Sequence, residues 1–137
     1  MARKADAFSA PAAGAYALSA GLFSIGVVCA VRPPVGSRIF GLPAAPSAMP
    51  YVRALAFRDF ATAGALSLLA AGPPGPLRAL ALSLALIPLG DLNIVARHSG
   101  RRAWPSLLLH AISAVALLSV AAGAGRRRPD GRHIPPG

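Results

Sequence analysis

The sequence predicts an all-α fold, an integral membrane four-helix bundle, and three observations carry this prediction. Hydrophobic residues make up 55% of the chain and charged residues only 13%, whereas an average soluble domain has about 25% charged residues to solvate its surface. The acidic residues are four aspartates and no glutamate, too few to cover a water-facing surface. Four apolar runs, each close to the roughly 20 residues that a bilayer-spanning helix needs, are separated by segments rich in proline, glycine and arginine.

The first two predicted helices span residues 14–31 and 51–71. The first ends where Arg32 is followed by two prolines, and the second ends at the stretch 72–76, whose glycines and prolines break a helix. Basic residues before the first run also resemble the start of a secretory signal peptide, but the run is longer than the roughly 7–15 apolar residues of such a signal. We therefore expect residues 14–31 to stay in the protein as a membrane helix.

The third and fourth predicted helices span residues 77–97 and 105–123. A basic turn separates them, and Pro105 stands in the first turn of the fourth helix, where its missing N–H does no harm. Alanine, glycine and serine recur along all the helices, and such small residues let helix backbones approach closely in a membrane. Residues 1–125 are thus expected to form one domain, and residues 126–137, rich in arginine and proline, a disordered basic tail.

The net charge of +10 would indicate a nucleic-acid partner in a soluble protein. Here the basic residues flank the apolar runs, where they meet lipid headgroups, and no aromatic residues are interleaved with them as in a single-strand-binding groove. We therefore expect the lipid bilayer as a partner and no nucleic acid, while a homo-oligomer stays open. The single cysteine, Cys29, excludes an internal disulfide.

Four crossings would place both termini on the same side of the membrane as the 72–76 turn. That side carries seven basic residues, and the opposite side carries six, namely Arg32, Arg38, Arg53, Arg97, Arg101 and Arg102. Because cytoplasmic segments carry an excess of Lys and Arg, this distribution favours cytoplasmic termini. The expected location is thus a multi-pass position in a membrane, which would be the cell membrane in a bacterium.

Ionisable residues lie inside three of the predicted helices, where each is costly at hydrocarbon depth unless it is paired or hydrated. At about 1.5 Å per residue, Asp59 lies about 12 Å from the start of its helix, and Asp91 and His110 lie about 9 Å from the nearest ends of theirs. Because successive helices alternate in direction, these three ends are on one side of the membrane. The two carboxyl groups and the imidazole are therefore predicted to form one polar layer.

Further polar residues accompany this layer. Arg58 directly precedes Asp59 in the sequence. Tyr51 and Thr62 share a helix face with Arg58. Asn93 lies two residues after the second aspartate, although it points in a different direction. The catalytic candidates are Asp59, Asp91, His110 and Arg58, and the candidates for substrate contact are Asn93, Tyr51 and Thr62.

Two carboxyl groups near an arginine and a histidine can supply a general acid and a general base for proton transfer. Comparable sets of aspartate, arginine, asparagine and tyrosine serve cofactor-free epoxide-opening enzymes. Metal binding is disfavoured because Arg58 beside Asp59 repels a cation, so neither a metal nor another cofactor is expected. A purely structural interpretation stays open, in which Arg58 neutralises Asp59 or Asp91 as an ion pair that fixes helix packing.

Four short motifs stand at defined places in the chain: RALAFRD at 53–59, IPLGD at 87–91, LHA at 109–111 and RIFGLP at 38–43. With these motifs the chain resembles an uncharacterised family of small four-helix membrane proteins of bacteria and fungi, the domain-of-unknown-function group four-two-six-seven. The resemblance spans about residues 14–122 and implies the same four-helix membrane fold. It also implies characteristic polar positions at Arg58, Asp59, Asp91 and His110. Fungal and actinobacterial members of this family tend to accompany natural-product pathways, beside other small membrane cyclases and oxygenases.

The leading hypothesis is a cofactor-free membrane enzyme that acts on a lipophilic small molecule. It would catalyse an acid–base isomerisation or cyclisation, such as epoxide opening, with Asp59 and Asp91 as the acid/base pair. Arg58 would tune the charge of this pair, and His110 would orient the reacting groups or carry a second proton. The alternative from another class is a small transporter or proton-coupled carrier that uses the polar layer as a relay, and a third is a non-catalytic membrane subunit.

Overall fold

The structure, a computed structural model, describes residues 9–126, which form helices joined by short turns. The helices are α1 (Ala10–Val31), α2 (Pro33–Phe40), α3 (Met49–Ala70), α4 (Pro74–Ser99) and α5 (Trp104–Gly125), with 3-10 turns at Pro46–Ala48 and Gly100–Ala103. No strand occurs within the described residues. The predicted all-α four-helix bundle is therefore confirmed, with α1, α3, α4 and α5 as its long helices.

Each long helix covers the segment predicted for it, except that α3 ends one residue before position 71. All four long helices begin earlier than predicted, and a proline stands in the first turn of each: Pro11, Pro50, Pro74 and Pro105. Proline suits this position because the N–H groups of the first turn have no partner within the helix. The predicted basic tail at 126–137 lies outside the described residues, apart from Arg126.

The short helix α2 is absent from the prediction, which treats residues 32–50 as a connecting segment. Pro33 and Pro34 stop α1, yet they also start α2, because proline fits the first turn of a helix as well as the position after one. Helix α2 ends at Gly41, whose φ of 94° lies in the left-handed region that glycine adopts readily. Its contacts with α1, α3 and α5 show that the chain folds back over the end of the bundle.

The long helices pack as two close pairs, α1 with α3 and α4 with α5. In the first pair, a Cβ atom at Gly26 would lie 2.7 Å from Cε1 of Phe60 and 3.2 Å from the carbonyl oxygen of Ala56. The rings of Phe23 and Phe60 pack beside this contact with their centroids 5.1 Å apart. The missing side chain at Gly26 therefore lets α1 approach α3 closely, the usual device where there is little hydrophobic force between helices.

The main core cluster joins the two pairs at the terminal end of the bundle, where α1 begins and α5 ends. All four long helices contribute to it, with buried residues Ala12, Ala15, Leu66, Ala70, Leu77, Ala81, Ala85, Leu117, Val120 and Ala121. We call the opposite end, which carries α2 and the Gly100–Ala103 turn, the loop end. The buried cluster there belongs only to the α1–α3 pair and consists of Cys29, Val52 and Ala56. Between the pairs, the loop end is left to α2 and to a cavity.

Two segments are long and apolar enough to cross a membrane, Ala10–Val31 and Pro74–Gly125, the second of which contains α4 and α5. Helix α3 is not one of these segments, and it carries Arg53, Arg58 and Asp59. All four long helices nevertheless expose large apolar side chains, among them Phe23, Phe57, Leu86 and Val115. Length, composition and surface thus indicate a membrane protein.

Candidate functional site

A cavity of about 530 Å³ lies between the two helix pairs, and all five helices contribute to its wall. Most of the wall is apolar, and its polar side chains are those of Ser37, Arg58, Asp59, Thr62, Asp91, His110 and Ser113. Cavities of roughly 300–1,000 Å³ that combine an apolar wall with a few convergent polar groups are typical of small-molecule sites. This cavity is therefore the candidate functional site.

The imidazole of His110 is fixed by the backbone of α2. Its Nε2 lies 3.0 Å from the carbonyl oxygen of Phe40, and the Phe40 ring meets the imidazole edge-on with centroids 4.9 Å apart. A carbonyl oxygen can only accept a hydrogen bond, so Nε2 carries the hydrogen and donates it. In the neutral imidazole, Nδ1 is then the nitrogen with a free lone pair, and it lies 4.0 Å from Oδ2 of Asp91.

The carboxyl group of Asp91 makes the fewest hydrogen bonds of the polar groups in the cavity wall. The 4.0 Å to Nδ1 of His110 is too long for a hydrogen bond, and within residues 9–126 no other group bonds this carboxyl. Its side chain is 16% exposed. One turn earlier, Pro88 lacks the N–H that would bond the carbonyl oxygen of Leu84, and both residues line the cavity. Asp91 is thus placed where a ligand can reach it.

The second carboxyl group, that of Asp59, is already paired. Its Oδ1 accepts hydrogen bonds from Nε of Arg58 at 3.3 Å and from Nη2 of Arg58 at 3.2 Å. The Asp59 side chain is only 7% exposed, whereas that of Arg58 is 38% exposed. The carboxylate therefore lies inside the bundle while part of the guanidinium reaches its surface.

Three hydroxyl groups complete the polar part of the wall, and that of Ser37 donates to the carbonyl oxygen of Pro34 at 3.0 Å. Oγ1 of Thr62 donates to the carbonyl oxygen of Arg58 at 2.8 Å, and Oγ of Ser113 donates to that of Leu109 at 2.9 Å. Each hydrogen is therefore used one turn back along its own helix, a common arrangement for Ser and Thr in apolar helices. What each hydroxyl can still offer a ligand is an acceptor lone pair.

The structure brings together most, but not all, of the residues selected from the sequence. Arg58, Asp59, Thr62, Asp91 and His110 line the same cavity. Two candidates for substrate contact lie outside it: Tyr51 is 77% exposed, and Asn93 accepts a hydrogen bond of 2.9 Å from Nε of Arg97 on the exposed face of α4. Two residues along a helix correspond to a turn of about 200°, which places Asn93 on the side of α4 opposite to Asp91.

The contribution of α2 to the cavity wall could not be predicted from the sequence. The acceptor that holds His110 is a backbone carbonyl, that of Phe40, and any residue type could supply it. The one available signal was Gly41, since a glycine directly after RIF is a common helix end. Cys29 also lines the cavity, where a Cβ atom at Gly36 of α2 would lie 2.7 Å from its Sγ.

These features agree with a family assignment. A family model described as a domain of unknown function (DUF4267) matches residues 19–124, and the chain belongs to this family. No curated protein and no solved structure matches the chain. The match covers all of the polar residues of the cavity wall. Within residues 9–126, no group of three or more His, Cys, Asp or Glu side chains could hold a metal ion.

The different pairing of the two aspartates leads to a first prediction. Asp59→Asn leaves the Arg58 guanidinium without its anion and should lower the free energy of unfolding by about 1–3 kcal/mol. A larger loss is not expected, because Arg58 is 38% exposed and can reach towards water. Asp91→Asn should change the stability little, since no hydrogen bond is lost. Thermal unfolding of both variants in detergent, followed by circular dichroism, measures the difference.

The matched control for this prediction is the double variant Arg58→Leu/Asp59→Asn. It removes both charges of the pair and should recover most of the stability that Asp59→Asn loses. If Asp91→Asn were the more destabilising of the two single changes, Asp91 rather than Asp59 would be the structural carboxyl group of the bundle, and the roles described above would be wrong.

Proposed function

We propose that the protein is a cofactor-free membrane enzyme that isomerises or cyclises a lipophilic small molecule by acid–base catalysis, as in the opening of an epoxide. One observation carries the proposal: Nδ1 of His110 and Oδ2 of Asp91 lie 4.0 Å apart on the wall of a largely apolar cavity. The separation is too long for a direct hydrogen bond, and a substrate group that lies beside the two atoms can exchange protons with both.

An isomerisation gains and loses no atoms, so it needs one base and one acid. Neutral His110 offers Nδ1 as the base, because its Nε2–H is bonded to Phe40. In an epoxide opening, Nδ1 takes the proton of the attacking hydroxyl as the new C–O bond forms. Protonated Asp91 delivers its proton to the epoxide oxygen as the old C–O bond breaks. Return of a proton from the imidazolium to the Asp91 carboxylate then restores the starting state.

The proposal gives Arg58 and Asp59 supporting roles. Since Asp59 is hydrogen-bonded to Nε and Nη2 of Arg58, it is less suited to proton transfer than Asp91. Arg58 lines the cavity and has five N–H donors, not all of which are used by one carboxylate oxygen. Its remaining donors can stabilise negative charge that develops on a substrate oxygen. Asp59 then acts by holding the guanidinium in place.

The lipophilic character of the substrate and a multi-pass membrane location belong to the same proposal. Of the adjacent long helices, α3 and α4 touch each other least. Arg58 and Thr62 of α3 and Ile87 of α4 line the cavity along this flank, and each is partly exposed. With all four long helices in the bilayer, this flank would face lipid, so a lipophilic molecule could enter the cavity without crossing water.

The membrane topology is tested by cysteine labelling in a Cys29→Ala background. Ser47 and Gly75 are both exposed and lie at the loop end and terminal end of the bundle. With cytoplasmic termini, a membrane-impermeant maleimide added outside intact cells should label Ser47→Cys but not Gly75→Cys. Labelling of both positions from the same side would rule out four crossings.

The enzymatic activity is tested with purified protein in detergent and a lipid extract of its source cells. Mass spectrometry should find a compound that disappears while another of the same mass appears, because isomerisation conserves composition. Asp91→Asn and His110→Gln should each slow this conversion about 10²–10⁴-fold, which is the factor by which general acid–base catalysis usually accelerates a reaction.

The control for this test is Asn93→Ala, which changes a polar residue of α4 outside the cavity and should keep full activity. Detergent micelles have no compartments, so transport yields no product in this assay. A wild-type protein that binds an extract compound without converting it would therefore contradict the enzyme and favour the carrier.

The apolar part of the cavity gives a test of substrate size. Gly21 lines the cavity, and a Cβ atom there would meet no atom within 4 Å, so Gly21→Leu should fill space meant for substrate. We expect kcat/KM for the converted compound to fall on the order of 10–200-fold, while the unfolding temperature stays equal or rises because leucine is the better helix former. Gly64→Leu is the matched control, since Gly64 also has open space around it but lies outside the cavity. Equal losses in both variants would contradict a role for Gly21 in substrate binding.

A further inference from the structure

A second concave surface lies at the loop end of the bundle, between α2 and the turn that joins α4 to α5. This groove is lined by three basic side chains from separate elements, Arg38 of α2, His98 of α4 and Arg102 of the Gly100–Ala103 turn. Between them are the apolar side chains of Ile39, Pro43, Pro105 and Leu109. The groove therefore combines a basic rim with an apolar floor.

The shape of the groove is held by close packing. Oγ of Ser99 donates a hydrogen bond of 2.8 Å to the carbonyl oxygen of Gly41. A Cβ atom at Gly41 would lie 2.7 Å from Cβ of Ser106 and 2.8 Å from Cγ1 of Val95. The end of α2 is thus pressed against α4 and α5, and the side chains on the two sides of the groove keep their separation before any ligand binds.

The positive charge of the groove is not balanced by carboxylates in the described part of the chain. The acidic residues between positions 9 and 126 are Asp59 and Asp91, and both line the other cavity. Arg38 and Arg102 are exposed, so they can turn towards an anion without breaking an existing ion pair. Charge complementarity therefore favours an anionic ligand.

The position of the groove indicates which anion it meets. Trp104, at the start of α5, is 65% exposed and Tyr51, near the start of α3, is 77% exposed. Exposed Trp and Tyr side chains at helix ends are typical of the level of the lipid headgroups. A groove at this level, with arginines at its rim and apolar residues on its floor, matches a lipid phosphate together with the first part of its acyl chains.

We propose that this groove is a binding site for a membrane lipid with an anionic phosphate headgroup. Arg38 and Arg102 bind the phosphate, and Ile39 and Leu109 contact the acyl region. Ile39 and Leu109 also line the cavity that holds Asp91 and His110, but none of the basic residues of the groove does, so phosphate binding is independent of the proposed acid–base chemistry. Its test therefore needs no substrate and no turnover.

The experiment compares lipid binding by purified full-length variants in a neutral detergent at low ionic strength. The groove variant is Arg38→Gln/Arg102→Gln. The matched control is Arg32→Gln/Arg53→Gln, which removes the same charge from two exposed arginines at the same end, both outside the groove. The probes are dioleoylphosphatidylglycerol, dioleoylphosphatidylcholine and inorganic phosphate, and the measurements are the shift in unfolding temperature and the apparent affinity by native mass spectrometry.

Phosphatidylglycerol should raise the unfolding temperature of the wild type more than phosphatidylcholine does. The groove variant should bind phosphatidylglycerol about 30-fold more weakly, as expected for the loss of two arginine contacts, while the control variant keeps most of the affinity. An equal loss in both variants would overturn the proposal, since it would mean a diffuse electrostatic effect. The absence of any preference for phosphatidylglycerol would overturn it as well. The proposal would also be overturned if inorganic phosphate alone raised the unfolding temperature as much as the lipid does, because the groove would then be a site for free anions.

Discussion

The hydrogen bond between His110 and the carbonyl oxygen of Phe40 shows the constraint on which the rest of this structure depends. A polar group inside an apolar bundle must find its partner within the protein, because neither lipid nor neighbouring apolar side chains supply one. The hydroxyl groups of Ser19 and Ser113 obey the same constraint by donating to carbonyl oxygens one turn back. Among the described residues, every fully buried side-chain nitrogen or oxygen has a partner. Asp91 keeps its carboxyl group unbonded only because it borders the cavity, and this makes it the place where a ligand would complete the network.

The cavity itself follows from where small residues stand along the helices. At the terminal end, Cβ atoms at Gly14 and Gly123 would lie 3.0 Å from Val120 and 2.8 Å from Pro11, so α1 and α5 approach each other closely there. At the loop end, glycines occur instead in and after α2, where Gly36 packs on Cys29. The helix pairs are therefore joined at one end and held apart at the other by an inserted helix. A bundle packed evenly along its whole length would have no room for a ligand.

The sequence predicts those parts of the site that depend on the position of a residue along its helix. It does not predict the direction in which a side chain points, or contacts made by backbone atoms. Counting residues at a fixed rise places Asp59, Asp91 and His110 at one level, and all three line the cavity. Counting says less about direction, and Tyr51 faces outwards. The pairing of Arg58 with Asp59 rather than Asp91 could not be predicted either, because neighbouring side chains on a helix do not normally face each other. Helix α2 escaped prediction because a pair of prolines ends one helix and begins another equally well.

Helix α2 has eight residues, too few to be stable alone in water, so its position depends on what it touches. Gly36 packs on Cys29 of α1, Gly41 packs on Val95 of α4 and Ser106 of α5, and the carbonyl oxygen of Phe40 bonds His110 of α5. These contacts reach both helix pairs, so α2 sets the distance between them at the loop end. The same helix supplies Phe40 and Ile39 to the cavity, and Ile39 also lines the basic groove. A displacement of α2 would therefore widen the cavity, break the hydrogen bond to the His110 imidazole and change the shape of the groove. The short helix that the sequence did not predict is thus the element that connects the two candidate sites.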